Sequence, residues 1–277
     1  MTTPRCCSRP VPTFVVCPII TFQPNRPDVD NHPTVRHGLT DLVAPAAALY
    51  TKLFARRRHA SLLFAVSELV RSFGRDGSCF ETLRLTLEGV MGDTSGLLRE
   101  LADFDAAPDI ADDAFLLAKV CVTHCPSLII NPQMLPAVID MALVGLHIQH
   151  REACCSTLVF LRNMMQARDE TSVGVLQRVL PLRGAALAQS LLAGALGSLP
   201  ASRLEDVADV MAAMLSCTGA MAVVWVQAAV TCVPHEAASI VGSHSFALYV
   251  PQTPYVHDLL NLCDLDRSEM ATVGDPA

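Results

Sequence analysis

Several short stretches of this 277-residue chain put charged or reactive side chains close enough to act together. Arg56, Arg57 and Arg58 are consecutive, and three guanidinium groups at one turn can hold a carboxylate or a phosphoserine through paired N–H donors. The plainer reading of the same residues, and the one favoured over partner binding, is a solvated turn whose charge favours the C-terminal end of the preceding helix dipole. Cys121 and Cys125 lie four apart with His124 beside them, a spacing that puts side chains on one face of a helix. A zinc site needs a second ligand pair at matching spacing, and the sequence has none, so these thiols read as structural. His147 and His150 meet at a junction between helices, without the carboxylate that an H-E-x-x-H motif carries inside its histidine pair. Asp112 and Asp113 are expected to decorate the first turn of a helix, where negative charge is favourable.

The larger catalytic signatures are missing from the sequence. It has no G-x-x-x-x-G-K-[ST] phosphate loop, no G-x-G-x-x-G after a strand and no G-x-S-x-G nucleophile elbow. Gly242-Ser243-His244-Ser245 sets a serine beside a histidine, but neighbours in sequence do not make a triad. The chain is therefore expected not to be an enzyme and to need no cofactor and no metal. A net charge of −7 argues against direct nucleic-acid binding, which needs clustered cations to displace counterions. It suits basic protein partners instead. Eleven cysteines, an odd number and mostly on apolar faces, read as small buried hydrophobes in a reducing compartment.

The elements that must position these groups are helical. Pro108 to Met165 spells three helices. The first starts behind Pro108-Asp109, carries Ala114, Leu117, Cys121 and Val122, and stops before Pro126. The second runs from about Met134 to His147. The third starts at His150-Arg151-Glu152 and aligns Cys154, Leu158, Leu161 and Met165 at 4-3-4 spacing. Short links between amphipathic helices make antiparallel neighbours. Before this stretch, helices are expected over Leu39–Phe54, with Pro45 in its first turns, and over His59–Phe73, stopped by Gly74. Phe80–Phe104 should hold one or two more, interrupted near Gly92-Asp93. After it, Ser172–Ser198 reads as a helix that Pro181 should kink or split. Ser202–Ser216, opened by a capping box of Ser202 and Glu205, and Gly219–Cys232 form a further hairpin. His235–Val250 is ambiguous, and Tyr255–Leu262 could form one last helix.

Residues 1–34 differ from the rest, being rich in proline, and read as a poorly ordered lead-in; 35–265 read as the helical array and 266–277 as a polar tail. Val11–Phe22 matches a signal-peptide core poorly, since Pro12 and Pro18 interrupt it. The run Val210–Val233 has no charged residue and is long enough to cross a bilayer, so a membrane hairpin near 185–233 is an alternative. Ser216-Cys217-Thr218-Gly219 divides that run, and no aromatic belt or basic flank accompanies it, so two buried helices of a protein without membrane partners explain it better.

Hairpins of roughly forty residues stacked in order are the signature of a HEAT-type or armadillo-like α-solenoid, an all-α fold that leaves an extended protein-binding surface. Particular residues point further. Pro108-Asp109, Asp112-Asp113-x-Phe115, Pro126, Pro136 and the run His150-Arg151-x-Ala153-x-Cys155-Ser156 with Phe160-Leu161-Arg162 resemble the C-terminal third of importin-beta family nuclear import receptors. Gly184-x-x-Leu187, Leu191-Leu192, Leu199-Pro200, Leu204-x-Asp206-Val207-Ala208-x-Val210 and Trp225 continue the likeness, which covers roughly Gly38 to Pro234. The resemblance is to the branch that imports serine/arginine-rich splicing factors.

That resemblance implies a karyopherin-type, cargo-binding solenoid working in nuclear import, found in cytoplasm and nucleus, with protein cargo as partner. It makes His150, Arg151 and Arg162 candidate partner-binding residues beside Arg56, Arg57 and Arg58, or else positions of capping and packing between repeats. Family members release cargo when the Ran GTPase, loaded with GTP, binds N-terminal repeats. Counterparts of those repeats, and of an arginine-rich helix that grips phosphorylated arginine-serine segments, are not expected in this chain. The competing expectation is a HEAT-repeat interaction scaffold without transport activity.

Overall fold

A computed structural model describes residues 33–195, 199 and 201–231. All but the last two positions of the proline-rich lead-in lie outside the described residues. So do Gly242–Ser245, His235–Val250, the helix expected at Tyr255–Leu262 and the polar tail. Among the described residues the structure is all-α. The helices are α1 (Pro33–Arg57), α2 (Ala60–Phe73), α3 (Phe80–Leu97), α4 (Leu101–Ala106), α5 (Pro108–His124), α6 (Leu135–Gly145), α7 (Arg151–Met165), α8 (Glu170–Ala193), α9 (Leu204–Thr218) and α10 (Ala220–Thr231). The chain divides into a unit ending at Asp41, of which residues 33–41 are described and helical, and a compact unit starting at Leu42.

Local chemistry sets the helix ends. Pro108 enters α5 at its first turn, where its missing N–H costs nothing. Asp169 caps α8 by accepting the Ser172 N–H at 2.9 Å, and His150 caps α7 by accepting from Ala153 N–H at 3.4 Å. Between α5 and α6, a 3-10 turn at Pro126–Leu128 buries Ile129 and Ile130, and Asn131 Oδ1 then accepts from Met134 N–H at 2.9 Å to start α6.

The compact unit is a HEAT-repeat solenoid of stacked antiparallel hairpins in two layers. Helices α2, α5, α7 and α9 pack side by side in one layer; α3, α6, α8 and α10 form the other. Successive first-layer helices begin at Ala60, Pro108, Arg151 and Leu204, so each repeat adds one helix to each layer. Within a layer neighbours are parallel. Asp112 and Ser156 meet near the starts of α5 and α7, and a Cβ added at Gly74 would lie 3.4 Å from Cys125 Cβ at the ends of α2 and α5. The core runs continuously between the layers, with Phe54, Phe104, Phe115 and Phe160 fully buried along it.

Four expectations need correction. Helix α1 runs three residues past Phe54 and begins at Pro33, so Pro45 lies mid-helix rather than in a first turn. Helix α3 continues through Gly92 and Asp93 to Leu97, because Val90, Met91 and Thr94 are buried on its inner face and hold it. Helix α8 is continuous from Glu170 to Ala193 with Pro181 inside it. Pro181 is solvent-exposed, while Leu180, Gly184, Leu187 and Ala188 anchor the buried face, and burial on that face outweighs the backbone bond that proline cannot make. The capping box of Ser202 and Glu205 does not form; α9 starts at Leu204 behind a 3-10 turn, with Arg203 in the cap position.

The tightest joint in the second layer is between α8 and α10. A Cβ at Gly184 would fall 2.3–2.5 Å from three atoms of the Trp225 ring, so only glycine allows the indole to lie against the α8 backbone. Gly184→Ala should therefore destabilise the protein by about 1–3 kcal/mol through overpacking. Gly174→Ala in the same helix meets nothing within 4 Å and should be neutral or slightly stabilising. Urea unfolding of both variants checks this; equal stabilities would remove the indole contact as the reason for glycine at 184.

Candidate functional site

The side-chain hydrogen bonds that join one repeat to the next have a common spacing. Asp112 accepts from Ser156 Oγ, 44 residues away, in the buried α5–α7 contact. Asp140 on α6 accepts two bonds from Arg183 on α8, at 2.7 and 2.8 Å, across 43 residues. His147 Nε2 lies 3.3 Å from Ser190 Oγ, also 43 residues on. Arg162 on α7 donates to Asp209 on α9 at 2.7 Å across 47 residues, and Arg168 to Ser216 at 3.3 Å across 48. These polar pairs flank apolar ones: the Phe115 and Phe160 rings meet at 5.9 Å between centroids, tilted by 32°.

This geometry sorts the six candidate residues. Arg162 belongs to a repeat joint, its guanidinium committed to Asp209. His150 caps α7, with its Nδ1 also 3.8 Å from Glu152 Oε2. Arg151, the first residue of α7, is exposed. Arg56, Arg57 and Arg58 are all exposed at the α1–α2 turn, with Arg56 and Arg57 in the last turn of α1. No acidic side chain among the described residues pairs with the three. Arg58 has φ of 40° and its N–H donates to Phe54 O at 2.8 Å, closing the end of α1 in the left-handed conformation usual for glycine. The structure does not bring the two groups together: Arg151 and Arg162 are on α7 and His150 caps it, and α5 stands between α2 and α7 in their layer.

Helix α1 also presents Leu42, Leu49 and Leu53 to solvent, the first two about half exposed at 49% and 52%. Spaced at i, i+7 and i+11, they form one stripe that ends at the arginines. An apolar stripe running into cations that have no acidic partner among the described residues is suited to holding a protein segment.

The other reactive residues have structural surroundings. Cys121 is fully buried, and burial pushes its thiol well above the ordinary range, which suits a packed side chain and not a metal ligand. Burial likewise pushes Cys154 up to about 11. Among the described residues no group of His, Cys, Asp or Glu is arranged to hold a metal ion. Nor is any helix among them long and apolar enough to cross a membrane. Asp112 departs from its expected place: it is 5% exposed between α5 and α7 and not on the solvated side of a first turn. Its distant partner Ser156 gave no local signal in sequence, and Asp140 and Arg183 were missed for the same reason.

Ser156→Ala, which removes the donor to a buried carboxyl, should cost about 1–3 kcal/mol in equilibrium unfolding. Ser190→Ala, at the longer contact with His147, should cost no more than about 1 kcal/mol.

No protein-family model matches the chain. Its sequence is 32% identical over 213 residues to Transportin MOS14 of Arabidopsis thaliana, an alignment that takes in 76% of this chain and 22% of that protein. The chain thus spans less than a quarter of the length of the curated relative it matches. With its repeats stacked as the geometry above describes, the chain is a partial homologue of a transportin and shares a karyopherin-type family relation with it.

Proposed function

We propose that this chain is a C-terminal, cargo-binding part of a nuclear import receptor of the transportin-3 kind, acting between cytoplasm and nucleus, with serine/arginine-rich proteins as cargo. The observation that carries this reading is the 32% identity with a transportin over 76% of the chain. The ordered residue blocks from Pro108 to Trp225 support it, since Gly184 and Trp225 meet in one joint of the solenoid and Phe115 and Phe160 in another. A solenoid built on such joints holds a protein partner over many repeats. Release of cargo by Ran is part of the same reading, as a property of the longer receptor.

The contact surface proposed is the basic turn Arg56, Arg57 and Arg58 with the adjoining stripe of α1. Three guanidinium groups with no acidic partner among the described residues can bind phosphoserines of a phosphorylated arginine-serine segment in bidentate fashion. Arg151 is a second exposed cation for such a segment, whereas His150 and Arg162 serve the cap and the joint. The alternative, a HEAT scaffold without transport, shares the surface and differs only in the fate of the bound partner.

Pull-down with a serine/arginine-rich splicing factor, phosphorylated and unphosphorylated, tests the specific reading; absence of binding to both forms would sink it. Replacing Arg56, Arg57 and Arg58 together with Ala should weaken binding of the phosphorylated form by about tenfold or more, with the helical signal unchanged. Arg58→Gly separates the roles. It relieves the positive φ and should raise stability by about 1 kcal/mol while removing one guanidinium from the surface. Unchanged affinity in a folded triple variant would move cargo binding elsewhere.

A further inference from the structure

The basic turn between α1 and α2 is followed at once by an exposed hydroxyl. Ser61 stands three residues after Arg58 and is open to solvent, as are Arg56, Arg57, Arg58 and His59. It is the second residue of α2, behind the extended cap residue His59 with φ of −100° and ψ of 130°. His59 Nδ1 accepts from the Ser61 N–H at 3.4 Å, so this nitrogen carries the lone pair and the Ser61 hydroxyl donates to it at 2.8 Å. The other serines of α2 are less open: Ser67 is buried and donates to Leu63 O at 3.1 Å, and Ser72 is half-buried. An exposed hydroxyl behind three guanidinium groups with no acidic partner among the described residues suits an enzyme whose own carboxylates read arginine. Arg58 and His59 already lie outside the helices, so only the first turn of α2 has to open for such an enzyme, and helix ends fray at little cost.

We propose that Ser61 is a phosphorylation site for an arginine-directed serine kinase, and that its phosphate switches off the basic turn as a cargo surface; the switch rests on the reading of Arg56, Arg57 and Arg58 as that surface. In the transfer, Ser61 Oγ bonds to the γ-phosphorus of ATP as the bond from that phosphorus to the ADP oxygen breaks. The hydroxyl proton passes to the base that the kinase supplies. The new phosphate carries about −1.5 to −2 charges at neutral pH, so a turn with three cations falls to a net charge of about +1. Its oxygens also compete for the guanidinium N–H donors that a phosphoserine of the cargo would take. The fold tolerates the modification, since Ser61 is exposed and negative charge in the first turn of a helix is favourable.

Ser78 provides an internal reference. It too is exposed and follows an arginine, Arg75, by three residues, but Arg75 is a single cation and the Ser78 hydroxyl donates to Asp76 Oδ1 at 2.7 Å. The test incubates the full chain with ATP and a serine kinase that requires arginine ahead of its target, and follows phosphate on each serine by peptide mass spectrometry. Ser61 should be modified at least about fivefold faster than Ser78. Modification of Ser61 no faster than Ser78 in the folded protein would overturn the site. Affinity for a phosphorylated arginine-serine peptide is then measured before and after kinase treatment. Treatment should weaken binding by about tenfold and should leave the affinity of a Ser61→Ala chain unchanged. Equal affinity of the treated and untreated chains, with Ser61 modified, would overturn the switch, and an equal loss in treated Ser61→Ala would overturn Ser61 as its seat. An untreated chain that does not bind the peptide at all would sink the cargo reading instead, while faster modification of Ser61 would still support the site.

Discussion

No hairpin of this chain can bury its apolar flanks alone, and the joint between α5 and α7 shows how stacking resolves that. The two helices run parallel, with Phe115 against Phe160 and the buried Asp112 accepting from Ser156. A buried carboxyl is tolerated only where it is hydrogen-bonded, so Asp112 fixes the register that the aromatic pair alone leaves adjustable. Slip of α7 by one helical turn would lose that bond and withdraw Phe160 from Phe115. The joints at Asp140–Arg183 and Arg162–Asp209 repeat the arrangement nearer the surface, and their shared spacing of 43 and 47 residues is the repeat length expressed as contacts. Exposed ion pairs of this kind add little stability each, so most of the holding force is the continuous apolar core beneath them.

Much of this architecture could be read from residues one helix at a time. Pro108 and Pro126 bound α5, Gly74 closes α2, and the 4-3-4 stripe of α7 is buried at Cys154, Leu158, Leu161 and Met165. These are local signals, decided by backbone chemistry and by one face of one helix. The errors came where tertiary packing overrode local preference. Gly92 and Pro181 look like breaks in isolation, yet both sit on the open side of helices whose opposite faces are pinned by Val90, Met91, Leu180 and Leu187. Asp112 looks like a solvated first-turn carboxylate until α7 covers it. Pairs 43 to 48 residues apart leave no trace in a window of one helix, which is why Asp140 with Arg183 was illegible although each lies in a segment read as helical.

The candidate site divides along the same line. Arg56, Arg57 and Arg58 were found as a local cluster, and their exposure at a turn is a consequence of local sequence. Their lack of acidic partners among the described residues depends on every neighbouring element, and only the fold supplies it. The φ of Arg58 shows that the cluster also has a backbone duty, closing α1 where glycine would do so with less strain.

The residues that carry the likeness to import receptors are, for the most part, the residues that hold the joints. His150 caps α7, Arg162 reaches α9, Ser156 binds Asp112, and Gly184 admits Trp225. A motif made of such positions identifies a fold through its assembly rules, because a change at any one of them disturbs packing between repeats. Partner recognition obeys a different constraint: its side chains must stay free of the joints to meet a ligand. The arginines therefore separate into two sets by what they already touch. Those paired with Asp140 or Asp209 are committed to the stack. The three at the end of α1 have no acidic partner among the described residues, and beside the exposed stripe of Leu42, Leu49 and Leu53 they combine charge with apolar area.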